Sequence, residues 1–177
     1  MFESASSHPS IKDYEAKICH EATPQVARPE RIGCLEPFGD PLSGIVLIAE
    51  IADEAVSVRL ADALCRSLAA VKLDAAYVIW YPPILLEDIL SLEPSALVAV
   101  GPDVARAIDS LNYPLAKTGF SGSSEGSWFA WTKGTSGLRL PALAPALSDA
   151  DAKRRFWRAF LALRGVAPYT QEPGSRS

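Results

Sequence analysis

Histidine is scarce. The 177 residues hold 2, His8 and His20, both near the start of the chain. From residue 44 onward no imidazole is available, which excludes Ser-His and Cys-His catalysis and histidine metal sites there unless the first residues fold back. Cysteine is nearly as thin. Cys19, Cys34 and Cys65 are odd in number, widely spaced and form no Cys-x-x-Cys pair, so reduced thiols are expected rather than a disulfide framework or a zinc site. A glycine-rich phosphate loop is missing too. Gly101-Pro102-Asp103 offers one glycine where a dinucleotide fingerprint has three, and Asp103 would repel an anion. No apolar run approaches the ~20 residues of a membrane helix, and no basic-then-apolar signal opens the chain. Nor is there an excess of cations. Lys and Arg total 17 against 21 Asp and Glu, a net charge of -4, which argues against adhesion of the whole surface to nucleic acid but leaves a local basic face open. These absences predict a soluble, cytoplasmic protein with no bound cofactor and no metal.

What is present is apolar material for a sizeable core. Hydrophobic residues make up 49% of the chain, whose length suits one domain with tails. Residues 1–43 are rich in Pro, Ser and charge and read as a flexible arm. Residues 44–165 read as an α/β domain, and 166–177 as a mobile tail. Within the arm, Phe2, Ile11, Tyr14 and Ile18 are the apolar residues able to anchor it on a partner, and the last three are spaced like a short helix face after Ser10.

The stretch Leu92–Leu111 organises the domain. Ala96 to Val100 is an apolar run without alternation, as a strand covered on both faces requires. Gly101 permits a sharp turn, Pro102 has its φ preset for a first helical turn, and Val104, Ala107, Ile108 and Leu111 share one helical face. Earlier in the chain, Gly44–Glu50 reads as the first core strand. A helix from about Asp53 to Ala70 follows, burying Val56, Leu60, Ala63, Leu64 and Leu68. Ala75–Trp80 is a second strand, and a short helix spans about Ile84–Ser91. Further on, Trp128–Thr132 and Leu138–Leu140 form a hairpin. Ser148–Leu163 is the last helix, with Ser148 and Asp151 placed as a capping box. The β-α-β-α-β-α order predicts a mainly parallel sheet with right-handed crossovers and helices on both faces, a three-layer α/β/α sandwich.

Candidate chemistry is sparse. Glu50 ends the first strand, where open α/β sheets place their ligand crevice, and a carboxylate there can orient a water; it also fits a plain exposed strand end. Cys65 reads as a packing residue. Lys153-Arg154-Arg155-Phe156-Trp157-Arg158 mixes cations with aromatics. The run fits three roles: a solvated helix face, a single-stranded nucleic-acid face using Arg154, Trp157 and Arg158, or a protein interface.

With these residues in view, Gly44–Leu163 resembles the uracil-DNA glycosylase superfamily. Val46-Leu47-Ile48-Ala49-Glu50 is similar to the strand that enters its water-activating loop. Leu92–Gly101 with Ala105-Arg106-Ala107 is similar to its strand-turn-helix. Leu140–Leu147 sits where the family carries its His-Pro-Ser motif, and Lys153–Leu163 resembles its closing helix. The motif histidine corresponds to Ala144. In the family that histidine stabilises the departing uracil anion, a kind of donor typically worth ~2.7–4 kcal/mol. The resemblance therefore implies a catalytically degenerate member. The end of the chain is also similar to psi subunits of bacterial DNA polymerase III, which have this fold without its catalysis. That implies a non-enzymatic adaptor of the replication machinery, bridging a clamp loader to a chi-type subunit, with Phe2, Ile11, Tyr14, Ile18, Arg154, Trp157 and Arg158 as partner-binding residues. Two other readings accompany it, a divergent nucleobase glycosylase using Glu50 and a single-stranded nucleic-acid binder.

Overall fold

A computed structural model describes residues 36–51, 54–82 and 86–166. Five strands form one sheet: β1 (Ile45–Glu50), β2 (Tyr77–Tyr81), β3 (Ala96–Val100), β4 (Trp128–Ala130) and β5 (Ser136–Leu140). Their spatial order is β2-β1-β3-β5-β4. The first three and β5 are parallel, and β4 runs antiparallel along the edge of β5. The helices are α1 (Glu54–Ala70), α2 (Leu86–Ser91), α3 (Pro102–Ser110) and α4 (Ala150–Phe160).

Alternation along the strands splits the core in two. On one face Ile45, Leu47, Val98, Leu138 and Leu140 meet Leu60, Leu64 and Leu68 of α1 and Phe156 and Phe160 of α4. On the other Val46, Ile48, Leu97 and Ala99 meet Ile89 of α2, Val104 and Ile108 of α3, and the loop aromatics Phe120 and Trp131. Helices thus cover both faces, which is why β1 and β3 are apolar without alternation. Burying each such side chain contributes ~1.5–3 kcal/mol relative to exposure.

Local chemistry sets the element ends. Gly101 stands at φ 107 and ψ 153, a region open only to glycine, and Pro102 starts α3. The cap of α4 corrects the expected capping box. Asp149, not Ser148, stands at the N-cap, and its carboxylate accepts the Asp151 N–H at 2.7 Å. Ser148 is already engaged in closing the preceding 3₁₀ turn, its N–H donating to the Pro145 carbonyl at 3.2 Å. The regular helix stops at Phe160, and Leu161–Leu163 tightens into a 3₁₀ turn. Of the face expected to be buried on α1, Leu60, Leu64 and Leu68 are buried, whereas Val56 and Ala63 are half-buried. The expected packing role of Cys65 is also corrected, because Cys65 is exposed. Desolvation raises its thiol pKa above 9.0, with a smaller contribution from the Asp62 carboxylate.

Candidate functional site

The chain leaves β1 towards β2 on one side and reaches β3 and β5 on the other, so the strand order reverses at the β1/β3 boundary. Ligands of open α/β sheets enter the crevice outside the carboxyl ends of such a pair. Parallel register, with Ala49 beside Val100, brings Glu50 at the end of β1 next to the turn that follows β3.

That turn is built around the Glu50 side chain. Pro102 has no N–H, so Asp103 supplies the first free backbone donor of α3. Glu50 Oε1 accepts it at 2.7 Å. A carboxylate from another strand thus caps the helix, a charge-assisted contact of ~1.5–3 kcal/mol in type. The fit is close. A Cβ at position 101 would lie 2.3 Å from Glu50 Oε1 and 2.8 Å from Oε2, so the carboxylate occupies the space a side chain would need. Asp103 turns its own carboxylate to Arg106, one turn along.

Beside this contact lies a hollow of about 50 Å³. Its wall includes Glu50, Leu60, Trp80, Val100, Leu143 and Ala144. The Trp80 indole N–H is spent on the Glu36 carbonyl at 3.2 Å. At ~10–15 Å³ per water, the hollow admits a group of about four heavy atoms. That is well below the ~300–1,000 Å³ of a whole-ligand pocket. Residues 52–53 and 83–85, which follow β1 and β2 at this end, lie outside the described residues.

The structure therefore brings together Glu50 and Ala144, two positions singled out in the sequence. It does not bring the α4 residues to them as a basic face. Arg154 is exposed and paired with Asp151 one turn earlier. Arg158 is exposed. Trp157 is half-buried and stacks on Phe160 with ring centroids 5.7 Å apart, at the edge of the core. Phe2, Ile11, Tyr14 and Ile18 lie outside the described residues, as do His8, His20, Cys19 and Cys34. Sequence reasoning missed Trp80 and Leu143 as lining residues and the capping of α3 by Glu50. It also missed a second charged cluster, in which Arg155 pairs with Glu125 at 2.7 Å and Glu125 faces Arg139 at 3.9 Å. Among the described residues no group of three or more His, Cys, Asp or Glu could hold a metal ion. No helix among them is long and apolar enough to cross a membrane.

No family model matches the chain. Over 150 residues it is 29% identical to the short chain dehydrogenase adrF of Penicillium roqueforti, covering 80% of this chain and 54% of that protein. The chain thus spans about half the length of the curated relative it matches. This similarity overturns the expected replication adaptor. It runs to an enzyme, a dehydrogenase, over most of the chain, and it brings no support for a polymerase III subunit. The expectation of a non-enzyme is corrected on the same ground. It rested on Ala144 standing in place of a histidine, which bears on one reaction and not on chemistry centred elsewhere in the crevice.

Dehydrogenase chemistry generally uses a nicotinamide or flavin carrier, and a dinucleotide needs a seat for its pyrophosphate. A phosphate would need free backbone N–H groups at a helix N-terminus. The Asp103 N–H of α3 is already held by Glu50. The sequence from the end of β1 into α1 reads Glu50-Ile51-Ala52-Asp53-Glu54, without glycine and with three carboxylates. A pyrophosphate does not fit the N-terminus of α3 as it stands.

Proposed function

We propose that this chain is a small α/β enzyme domain, distantly related to oxidoreductases of the short chain dehydrogenase kind, whose working group is Glu50. The observation that carries the reading is the placement of that carboxylate. Glu50 stands at the β1/β3 switch point, is fixed through Oε1 by the Asp103 N–H, and lines an apolar hollow with Trp80 and Leu143. A carboxylate held on one oxygen in such surroundings is suited to general acid–base work, since the other oxygen remains available to a substrate proton. The similarity to a dehydrogenase supports an enzymatic role. We also propose that the fold is of the uracil-DNA glycosylase kind. The reading is supported by the mainly parallel sheet with helices on both faces and by the approach of Ala144 to the end of β1.

The test compares the native chain with Glu50→Gln in a fractionated small-molecule extract, following compounds bound or converted by mass spectrometry. At least one compound should be retained or consumed by the native chain and spared by the variant. Identical profiles would remove Glu50 from the function.

A further inference from the structure

The chemistry of the hollow restricts what can enter it. We propose that it receives the cationic end of a small ligand, a guanidinium or ammonium group, with Glu50 as counter-charge. This rests on the reading of Glu50 as the working group. Among the described residues, Glu50 and Trp80 are the polar side chains of the wall, and the indole N–H is already given to Glu36. The Asp103 N–H is given to Glu50 Oε1. Among the described residues an anion would meet a carboxylate and no free side-chain donor. A neutral acceptor would meet the same shortage. Glu50 Oε2, by contrast, accepts no hydrogen bond from the described residues. A group with several N–H donors completes it.

Size points the same way. About 50 Å³ matches the four heavy atoms of a guanidinium, or an ammonium with its adjoining methylenes. Leu60, Val100 and Leu143 suit the aliphatic stem of such a ligand. Trp80 adds an aromatic surface, the strongest type of ring for attracting a cation. The walls are of low polarity, so a charge pair formed there is screened less than one on the open surface.

A charge series on one stem tests the proposal. Butylguanidinium, pentanol and pentanoate are titrated into the full chain, with the Trp80 indole and Asp103 backbone amides followed by nuclear magnetic resonance. Inorganic phosphate serves as a second anion. The cation should shift both signals saturably, and pentanol, pentanoate and phosphate should not. Affinity for the cation should fall at least tenfold in Glu50→Gln and should weaken as salt is raised. Equal or tighter binding of pentanoate or phosphate would overturn the proposal, as would cation binding unchanged in Glu50→Gln or no binding of the cation. An anionic or neutral compound retained from the extract in a Glu50-dependent manner would overturn it while leaving the role of Glu50 intact. No Glu50-dependent compound of any charge would remove both.

Discussion

The side chain that Gly101 lacks is replaced in space by the Glu50 carboxylate, whose Oε1 lies 2.3 Å from where a Cβ would be built. The residues are 51 apart in sequence, yet neither is free to change alone. Gly101→Ala meets two penalties. Its backbone at φ 107 costs a side-chain-bearing residue ~1–3 kcal/mol, and the new methyl must evict the carboxylate from the α3 N-terminus. Urea denaturation should show Gly101→Ala destabilised by both effects. In a Glu50→Ala background the same substitution should cost less, by ~1 kcal/mol or more, because only the backbone penalty remains. Additive costs would show that the contact carries no energy.

A dinucleotide offers the complementary test of the same contact. The phosphate seat at α3 is filled by Glu50, and the sequence that follows β1 holds carboxylates and no glycine. Reduced nicotinamide dinucleotide titrated into the native chain should give no saturable change in nicotinamide fluorescence at submillimolar concentration. Saturable binding there would mean that Glu50 moves aside, and that the crevice is organised for phosphate.

The sequence made β1 and β3 legible because burial on both faces leaves an apolar run from Ile45 to Ala49 and from Ala96 to Val100. It made Gly101-Pro102 legible because turn chemistry is local. The site was only half legible. Glu50 stood out as a strand-end carboxylate, but its partner Asp103 is 53 residues away and becomes a neighbour only through parallel pairing of β1 with β3. The same holds for Arg155 and Glu125, 30 residues apart. The basic run on α4 was legible as a run but not in its contacts, because spacing does not reveal that Asp151 engages Arg154, Glu125 engages Arg155 and Phe160 stacks on Trp157.

The cap of α4 separates two residues that sequence rules rank as equals. Ser148 and Asp149 are both good caps, but the Asp149 carboxylate is the one that accepts the Asp151 N–H. Asp149→Ala should lower stability by ~1 kcal/mol, and Ser148→Ala should stay within about half of that. Equal losses would return the cap to the Ser148 register.

Cys65 should report its surroundings through pH. Desolvation, then the Asp62 carboxylate, hold its thiol protonated above the ordinary value of 9.0. The native thiol therefore ionises at higher pH than the same thiol in the unfolded chain. Alkylation of the Cys65 peptide, followed by mass spectrometry, should begin at higher pH in buffer than in urea. The linked stability runs in the same sense. It is fully present below the unfolded pKa and is lost as pH rises through the native one. Coincident profiles would contradict the partial desolvation of the thiol.

The Glu125 cluster carries an asymmetry that burial decides. Arg155 is 68% exposed, Glu125 is 23% exposed and Arg139 is 22% exposed at their side chains. Arg139 Nη1 donates to the Ser121 and Ser123 carbonyls at 2.9 and 3.2 Å, while its Nε is buried with no partner among the described residues. Removing Arg155 takes away an ion pair that water largely replaces, so Arg155→Ala should cost ~0–1 kcal/mol. Removing Glu125 leaves Arg139 without its nearby counter-charge in a site water reaches poorly. Glu125→Ala should therefore cost more, ~1–3 kcal/mol, and lose that excess when Arg139 is also changed to Met. Denaturant midpoints of the three single variants and the Glu125→Ala/Arg139→Met pair decide it. Equal losses for Arg155→Ala and Glu125→Ala would mean that Arg155, not Arg139, is the partner that Glu125 serves.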